Sequence, residues 1–202
     1  MIAIIDYHVG NLGSVTNACK RQGMDVVVTN DPEVIRHADG IILPGVGAFP
    51  AAMSNLEACH LVPVLNEVKD KGTPILGICI GMQLLFEEGS ENGHTKGLGF
   101  LKGSVDKMEV DAKLPHMGWN QLVINQAHPL LKYVEEGDYV YFVHSYSAHC
   151  PEDQIGAYVN YGGKEITAFV YKDNVMGTQF HPEKSGEIGK KILRAFKEMV
   201  SC

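Results

Sequence analysis

The chain has 202 residues, of which 45% are apolar, and its 24 acidic and 17 basic residues give a net charge of -7. This size and apolar content are typical of one domain with a sizeable core, so we expect a single domain over residues 1–202. The acidic balance, with no basic run longer than Lys190-Lys191, argues against a nucleic-acid partner. No segment approaches the roughly 20 apolar residues of a membrane span, and residues 1–6 lack the basic start of a signal peptide, so we expect no membrane partner.

The cysteines are odd in number and share no regular spacing, which is typical of free thiols in a reducing compartment. We therefore expect a cytoplasmic protein. The pairs Cys59-His60 and His149-Cys150 lack the spacing of metal ligands, and we predict neither a metal site nor a cofactor. The cysteines are Cys19, Cys59, Cys79, Cys150 and Cys202.

The first half of the chain alternates apolar strand patterns with amphipathic helix patterns. Leu12, Val15 and Cys19 fall on one face of a predicted helix, and two further helical segments end at about residue 71. Strands that alternate with helices predict an α/β fold, a doubly wound, mostly parallel sheet with helices on both faces. The strands are predicted at residues 2–6, 24–29, 40–43 and 73–78.

The second half consists mainly of short segments with alternating or β-branched residues, joined by turns. We interpret them as antiparallel additions at one side of the sheet, although the pattern does not define the strand order. The chain ends with a strongly amphipathic predicted helix, in which residues 188, 192, 193, 196, 199 and 200 form the apolar face. The predicted strands lie at residues 103–110, 118–124, 138–143, 156–161, 166–172 and 175–180.

Residues 74–83 have the layout of a nucleophile elbow, the sharp strand-to-helix turn that lifts one side chain above an α/β sheet. Cys79 ends an apolar run, with Gly77 two residues before it and Gly81 two residues after it, where a side chain would clash with the strand or the helix. At the start of a helix, backbone N–H groups and the helix dipole favour the nucleophilic thiolate. A buried structural cysteine is the alternative, and the two glycines favour the catalytic interpretation.

His181 and Glu183 are the candidate base and orienting acid for Cys79. His181 follows the predicted strand at residues 175–180, and active sites gather at the carboxyl edge of a parallel sheet. Residues two apart in an extended segment point the same way, so Glu183 can hold the imidazole in one tautomer and stabilise its cation. An isolated His-Pro-Glu would more often be an ordinary turn, but together with the elbow it predicts the triad Cys79–His181–Glu183.

Backbone N–H groups are the candidate donors for the oxyanion that forms when a thiolate attacks an amide. One donor belongs to Ile80, the residue after the nucleophile. The loop at residues 44–49 follows a predicted strand, and its glycines let the backbone approach a ligand closely, so Val46 and Gly47 are the other candidates. A plain turn before a helix is the alternative for this loop.

Six motifs, in this order along the chain, resemble those of the class I (triad) glutamine amidotransferases, and within them the glutaminase subunits of imidazole glycerol phosphate synthase. The resemblance covers nearly the whole length. The elbow and the His-Pro-Glu motif indicate the superfamily alone, whereas residues 44–49 and 116–120 are more specific. The motifs lie at residues 6–12, 44–49, 77–83, 116–120, 141–146 and 179–185.

The resemblance implies a glutaminase in which Cys79 attacks the side-chain amide of glutamine, and His181 protonates the leaving ammonia and then activates water. It also implies a partner, a (β/α)₈-barrel cyclase subunit that uses the ammonia to make imidazole glycerol phosphate in histidine biosynthesis. The residues implied to hold glutamine are Gly45, Gln83, His144, Ser145 and Tyr146. Those implied at or near the partner interface are Asn11, Trp119, Tyr141 and Lys184.

Three alternatives remain at this stage. Another class I glutaminase, serving pyridoxal phosphate or anthranilate synthesis, usually lacks the segment at residues 116–120. A cysteine hydrolase or stress protein on a similar sheet is disfavoured by Glu183 and by Gln83 beside the elbow. A non-catalytic regulatory partner subunit is disfavoured by the complete triad. One departure from the family is Pro50, where glycine is common, and it bears on how freely the loop at residues 44–49 can switch.

Overall fold

The computed structural model describes residues 1–201, so Cys202 lies outside the described residues. The strands of the first half form a parallel array in which β1 lies between β2 and β3, and β4 follows β3. They are β1 (Ile2–Ile5), β2 (Val26–Thr29), β3 (Gly40–Leu43) and β4 (Ile75–Ile78). The helices of this half are α1 (Leu12–Arg21), α2 (Pro32–Arg36), α3 (Phe49–Ala58), α4 (Leu61–Asp70) and α5 (Ile80–Gln83).

The second half supplies four strands to this central sheet and builds two smaller sheets. Its strands are β5 (Glu88–Gly89), β6 (Thr95–Lys96), β7 (Ser104–Lys107), β8 (His116–Gln121), β9 (Val123–Ile124), β10 (Tyr139–His144), β11 (Tyr146–His149), β12 (Ile155–Tyr161), β13 (Lys164–Lys172) and β14 (Val175–Thr178). The central sheet has the order β2-β1-β3-β4-β14-β13-β12-β9. A separate antiparallel ribbon pairs β8 with β10, and β11, β7, β5 and β6 form the third sheet. The prediction of an α/β fold with a mostly parallel sheet is confirmed.

The structure corrects the prediction that all strands of the second half are antiparallel additions. β14 lies between β4 and β13 and runs parallel to β4, with Thr178 opposite Ile78. Furthermore, residues 103–110, 138–143 and part of 118–124 lie outside the central sheet. The prediction failed because residue alternation defines a strand but not its partner. As a consequence, the chain leaves β4 and β14 at the same edge of the sheet.

The core explains why the central strands are apolar throughout. All residues of β1, β3, β4 and β14 are buried, as expected for parallel strands covered on both faces. The last helix, α6 (Gly186–Val200), buries Ile192, Leu193 and Phe196, which confirms its predicted apolar face. No helix within residues 1–201 is both long and apolar enough to cross a membrane.

Gly189 is where α6 passes closest to the backbone that follows β14. A Cβ at this position would collide with the carbonyl oxygen of Pro182. We expect Gly189→Ala to lower the free energy of unfolding by about 2 kcal/mol, because the obstacle is backbone and cannot swing aside. Denaturant titration measures this. Gly13→Ala, in α1 with open space around it, is the matched control and should gain up to about 1 kcal/mol. Equal stability of Gly189→Ala and the parent chain would contradict the close approach.

Candidate active site

Cys79 lies on a sharp turn between β4 and α5, as the elbow motif predicts. Its backbone has a φ of 54° and a ψ of -109°, a conformation that side-chain-bearing residues rarely adopt. A Cβ on Gly77 would lie 2.6 Å from the carbonyl oxygen of Gly81, and a Cβ on Gly81 would collide with the carbonyl oxygen of Leu43. The two glycines are therefore needed for the turn to pass this close to the neighbouring strand. Because α5 has only four residues, its dipole is smaller than that of a longer helix, and it favours the thiolate correspondingly less.

His181 and Glu183 form a buried ion pair beside Cys79. The imidazole Nδ1 is 2.7 Å from the Glu183 Oε1, and the two side chains are 0% and 1% exposed. The side-chain amide of Asn11 donates a hydrogen bond to the same carboxylate oxygen. The ring Nε2 has no hydrogen-bond partner of ordinary geometry among the described residues, so it is the nitrogen that remains for the thiol.

The surroundings of this pair favour the imidazolium form of His181. Burial opposes the charge, but interactions with Cys79 and Glu183 outweigh it and raise the pKa of His181 to about 9. Burial also acts against the Glu183 carboxylate, yet the hydrogen bonds from His181 and Asn11 keep its pKa below the usual value. A carboxylate that holds the ring by Nδ1 and stabilises its cation is the arrangement that general acid–base chemistry at Nε2 requires.

A pocket of about 330 Å³ opens above Cys79 and His181. This volume is at the lower end of the range for small-molecule sites. Four of the five residues predicted to hold the substrate line it, as do all three predicted oxyanion residues, whereas Gly45 is not among the lining residues. The lining residues are Val46, Gly47, Cys79, Ile80, Gln83, Glu91, Pro115, Val143, His144, Ser145, Tyr146 and His181.

The loop at residues 44–49 is fixed at its start by contacts with Tyr7, whereas Gly47 in its middle is unconstrained. The buried hydroxyl of Tyr7 donates a hydrogen bond to the carbonyl of Pro44, and a Cβ on Gly45 would lie 2.7 Å from that hydroxyl. Gly47, by contrast, is exposed, with a φ of 121° and open space around it. The backbone of Gly47 can therefore turn its N–H group toward or away from the pocket without a steric barrier from a side chain.

Comparisons with known proteins identify the family. Residues 3–199 match the family model described as glutamine amidotransferase class-I. The chain belongs to the class I glutamine amidotransferases. Imidazole glycerol phosphate synthase subunit HisH of Lactococcus lactis subsp. lactis is 54% identical over 199 residues, or 98% of each chain. The HisH subunit of Bacillus cereus is 52% identical over 202 residues, which cover 100% of this chain and 96% of that protein.

A solved glutamine amidotransferase structure supports the fold independently of the sequence. It superposes with a TM-score of 0.78 at 16% identity and covers 100% of both chains. This likeness concerns the architecture alone. The family predicted from the sequence motifs is confirmed by the family model and the full-length relatives.

Two buried histidines shape the wall of the pocket in this amidotransferase. The Nδ1 of His116 lies 2.9 Å from the Nε2 of His144, whose own Nδ1 lies 2.8 Å from the carbonyl oxygen of Tyr146. Since a carbonyl only accepts, His144 donates from Nδ1 and accepts at Nε2. Burial lowers the pKa of His116 to about 4 and that of His144 to about 3, so both rings are neutral near pH 7.

The predicted interface residues lie partly on the ribbon of β8 and β10. Trp119 stands opposite Tyr141, with ring centroids 6.0 Å apart, and the Lys184 amine lies 6.0 Å from the Tyr141 ring. Trp119 is 54% exposed. Asn11 differs from the others, because its amide is directed at Glu183 and lies within the site.

Sequence reasoning missed several residues of the site. Glu91 and Pro115 line the pocket but come from loops with no local signature, and Val143 lies in the motif at residues 141–146 without being singled out there. Glu91 accepts a hydrogen bond from the backbone N–H of Phe49 at the start of α3, which brings its carboxylate to the pocket. Gln179 contacts Cys79, and although it lies in the motif at residues 179–185, nothing in the sequence indicates that contact.

The neutral histidine pair predicts acid sensitivity of the fold. Below about pH 6.5 the unfolded chain protonates its histidines, whereas His116 and His144 stay neutral in the fold down to about pH 4. Folding stability should therefore fall as pH drops through this window, by about 1 kcal/mol per histidine per pH unit. Denaturant titrations between pH 7 and 5 measure the slope, and His116→Gln should reduce it.

Other histidines also contribute to the pH dependence of folding stability, or serve as controls for it. His128, with a pKa lowered to about 4 by burial, adds slope of the same sign in every variant. His181, with a pKa of about 9, is already protonated in the fold when the unfolded chain gains that proton near pH 6.5, so in every variant it adds slope of the opposite sign above about pH 6 and little below it. His60→Asn, at an exposed histidine, is the control against which the change of slope in His116→Gln is judged. An unaltered slope in His116→Gln would contradict the assignment.

Proposed function

We propose that this amidotransferase hydrolyses glutamine to glutamate and ammonia through Cys79, His181 and Glu183, and passes the ammonia to a (β/α)₈-barrel cyclase partner. The assembly is imidazole glycerol phosphate synthase of histidine biosynthesis. The observation that carries the hydrolytic step is the buried His181–Glu183 pair beside an elbow cysteine at the base of a pocket. Identities of 54% and 52% to full-length HisH subunits support this synthase over other glutaminases of the class.

The first half-reaction joins the enzyme to the glutamyl group. The Cys79 sulfur attacks the amide carbon, the new C–S bond forms, and the carbonyl electrons move to the oxygen. Backbone N–H groups of Ile80 and of Val46 or Gly47 stabilise that oxyanion. When the tetrahedral intermediate collapses, the C–N bond breaks and His181 gives its Nε2 proton to the nitrogen. Ammonia departs, and the glutamyl group remains bound to Cys79 as a thioester.

The second half-reaction releases glutamate. Neutral His181 now takes a proton from a water molecule, whose oxygen attacks the thioester carbon. The C–S bond breaks as the second tetrahedral intermediate collapses, and the sulfur leaves as the thiolate beside the restored imidazolium. Glu183 stays ionised throughout, because it orients the ring and stabilises its cation without taking the proton.

Glutamine recognition is assigned to polar groups around the pocket. The Glu91 carboxylate suits the α-ammonium group of the substrate. Gln83 offers a side-chain oxygen that is buried and has no hydrogen-bond partner among the described residues. Such an orphaned acceptor matches an N–H group of a bound amino acid. Ser145 and Tyr146 also line the pocket and provide further polar groups.

The cyclase partner is proposed to cover the exposed face of the β8–β10 ribbon. Met117, Trp119 and Tyr139 are 61%, 54% and 51% exposed, and aromatic residues with methionine are typical of interface cores. Val143, on the same face of the ribbon, lines the pocket, so the proposed interface and the site are adjacent. A closed passage keeps ammonia from becoming ammonium, which is not a nucleophile.

The partner is also proposed to organise the loop at residues 44–49. The free conformational choice at Gly47 predicts weak hydrolysis by the isolated chain and faster hydrolysis in the complex with its ligand. The compartment is proposed to be the cytoplasm, in keeping with the free thiols of Cys19, Cys59, Cys79 and Cys150.

Replacement of the nucleophile tests the hydrolytic step. In the complex with the cyclase subunit, Cys79→Ala should lower glutamine hydrolysis at least about 1,000-fold while the fold and the ammonia-dependent cyclase reaction are retained. Glutamate release and cyclisation with added ammonium salt are measured side by side. Cys150→Ala, which removes a free thiol that is partly buried, is the control. Glutamate formation that persists in Cys79→Ala would remove this residue from its role.

Truncation of the exposed aromatic tests the proposed interface. Trp119→Ala should weaken binding of the cyclase subunit about 30-fold, the typical effect of a central interface tryptophan, with little change in folding stability. Isothermal titration calorimetry with the purified subunits measures the affinity. Val28→Ala is the control, since Val28 is 39% exposed on β2, at the far edge of the sheet. Unchanged affinity in Trp119→Ala would place the interface elsewhere.

A further inference from the structure

Gln179 is a buried amide that contacts the nucleophile. It directly follows β14, it is fully buried, and its backbone N–H is bonded to the carbonyl of Ala168. Its side-chain Nε2 lies 3.7 Å from the Cys79 sulfur, which is within hydrogen-bond range for sulfur as acceptor. The triad mechanism described above makes no use of this contact.

Neighbouring groups fix which end of the Gln179 amide faces the sulfur. The carbonyl of Tyr146 can only accept, and it lies 3.3 Å from the Nε2 of Gln83, so Gln83 turns its NH₂ group that way. The same NH₂ group donates to the Gln179 Oε1 at 3.0 Å. With its oxygen taken as an acceptor, Gln179 can present only its NH₂ group to Cys79.

The Tyr146 carbonyl, from which this series of hydrogen bonds starts, is itself held in place. Besides Gln83, the Tyr146 carbonyl accepts from the Nδ1 of His144, and His116 donates to the other nitrogen of that ring. The Asn120 amide lies 3.3 Å from the remaining nitrogen of His116 and also donates to the carbonyl of Asn160. A continuous series of hydrogen bonds thus runs from β8 to the sulfur, and its last donor is Gln179.

We propose that Gln179 is a further catalytic residue, a hydrogen-bond donor that stabilises the Cys79 thiolate both before attack and as the leaving group of deacylation. In a dry site, an N–H group binds an anionic sulfur more strongly than a thiol or thioester sulfur. The donor therefore favours the state in which charge is on sulfur, in addition to the imidazolium of His181. Its effect on turnover rests on the proposed glutaminase function, whereas its effect on the thiolate does not.

Alkylation of Cys79 as a function of pH measures the thiolate directly. The rate of iodoacetamide modification is followed by mass spectrometry of the peptide that contains Cys79, which separates it from the other thiols. Gln179→Met keeps the length of the side chain but removes the donor. We expect the pH midpoint of alkylation to move up by about one unit, as for loss of one hydrogen bond to a charged group. Glutaminase kcat in the cyclase complex should fall about tenfold, with a smaller change in KM.

Two further variants make the result specific. Gln179→Asn keeps the amide but shortens its reach, so its midpoint should also rise, and it serves if Gln179→Met does not fold. Gln154→Met is the matched control, because Gln154 is a buried glutamine whose amide bonds only the backbone of Lys102 among the residues that the structure describes. It should change stability without moving the midpoint.

The outcomes separate this proposal from the proposed function. Midpoints in both Gln179 variants that equal those of the parent and of Gln154→Met would overturn the role of Gln179, even if glutamine is hydrolysed. A raised midpoint in a protein that does not hydrolyse glutamine with its cyclase would support Gln179 as a thiolate donor and reject the glutaminase function.

Discussion

The parallel pairing of β4 with β14 is the constraint on which the rest of the site depends. Gly77 lies opposite Gly177 and Ile78 opposite Thr178, so the two strands end at the same level. The backbone N–H of Cys79 extends this pairing with a 2.8 Å hydrogen bond to the carbonyl of Thr178. Because the two strands end at the same level, Cys79 after β4 and His181 after β14 lie close together at this edge of the sheet.

Buried histidines in this protein differ in charge, one cationic and two neutral, because their partners differ. His181 faces a carboxylate, which compensates the cost of burying its cation. His116 and His144 are bonded to each other, to a backbone carbonyl and to an amide, so burial keeps them neutral. The positive charge of the site is thereby confined to the ring beside the sulfur, where the proposed chemistry uses it.

The sequence predicted the parts of the site whose requirements are local. The elbow needs Gly77 and Gly81 at fixed offsets from Cys79. His181 and Glu183 are brought together by a spacing of two residues. Both patterns can therefore be recognised from the sequence alone. Glu91 and Gln179 were missed because their positions depend on contacts between distant segments. The direction of β14 was also wrong, since a run of apolar residues shows that a strand is buried but not which strand it joins.

The β8–β10 ribbon carries two separate requirements on its opposite faces. Within β8, His116 and Asn120 point inward to the hydrogen bonds of the pocket wall, whereas Met117 and Trp119 point outward. A slip of one position between the two strands would exchange these faces, exposing the imidazoles and burying the indole. A change in residues 116–121 that shifted this register would therefore disturb the pocket wall and the outer face together.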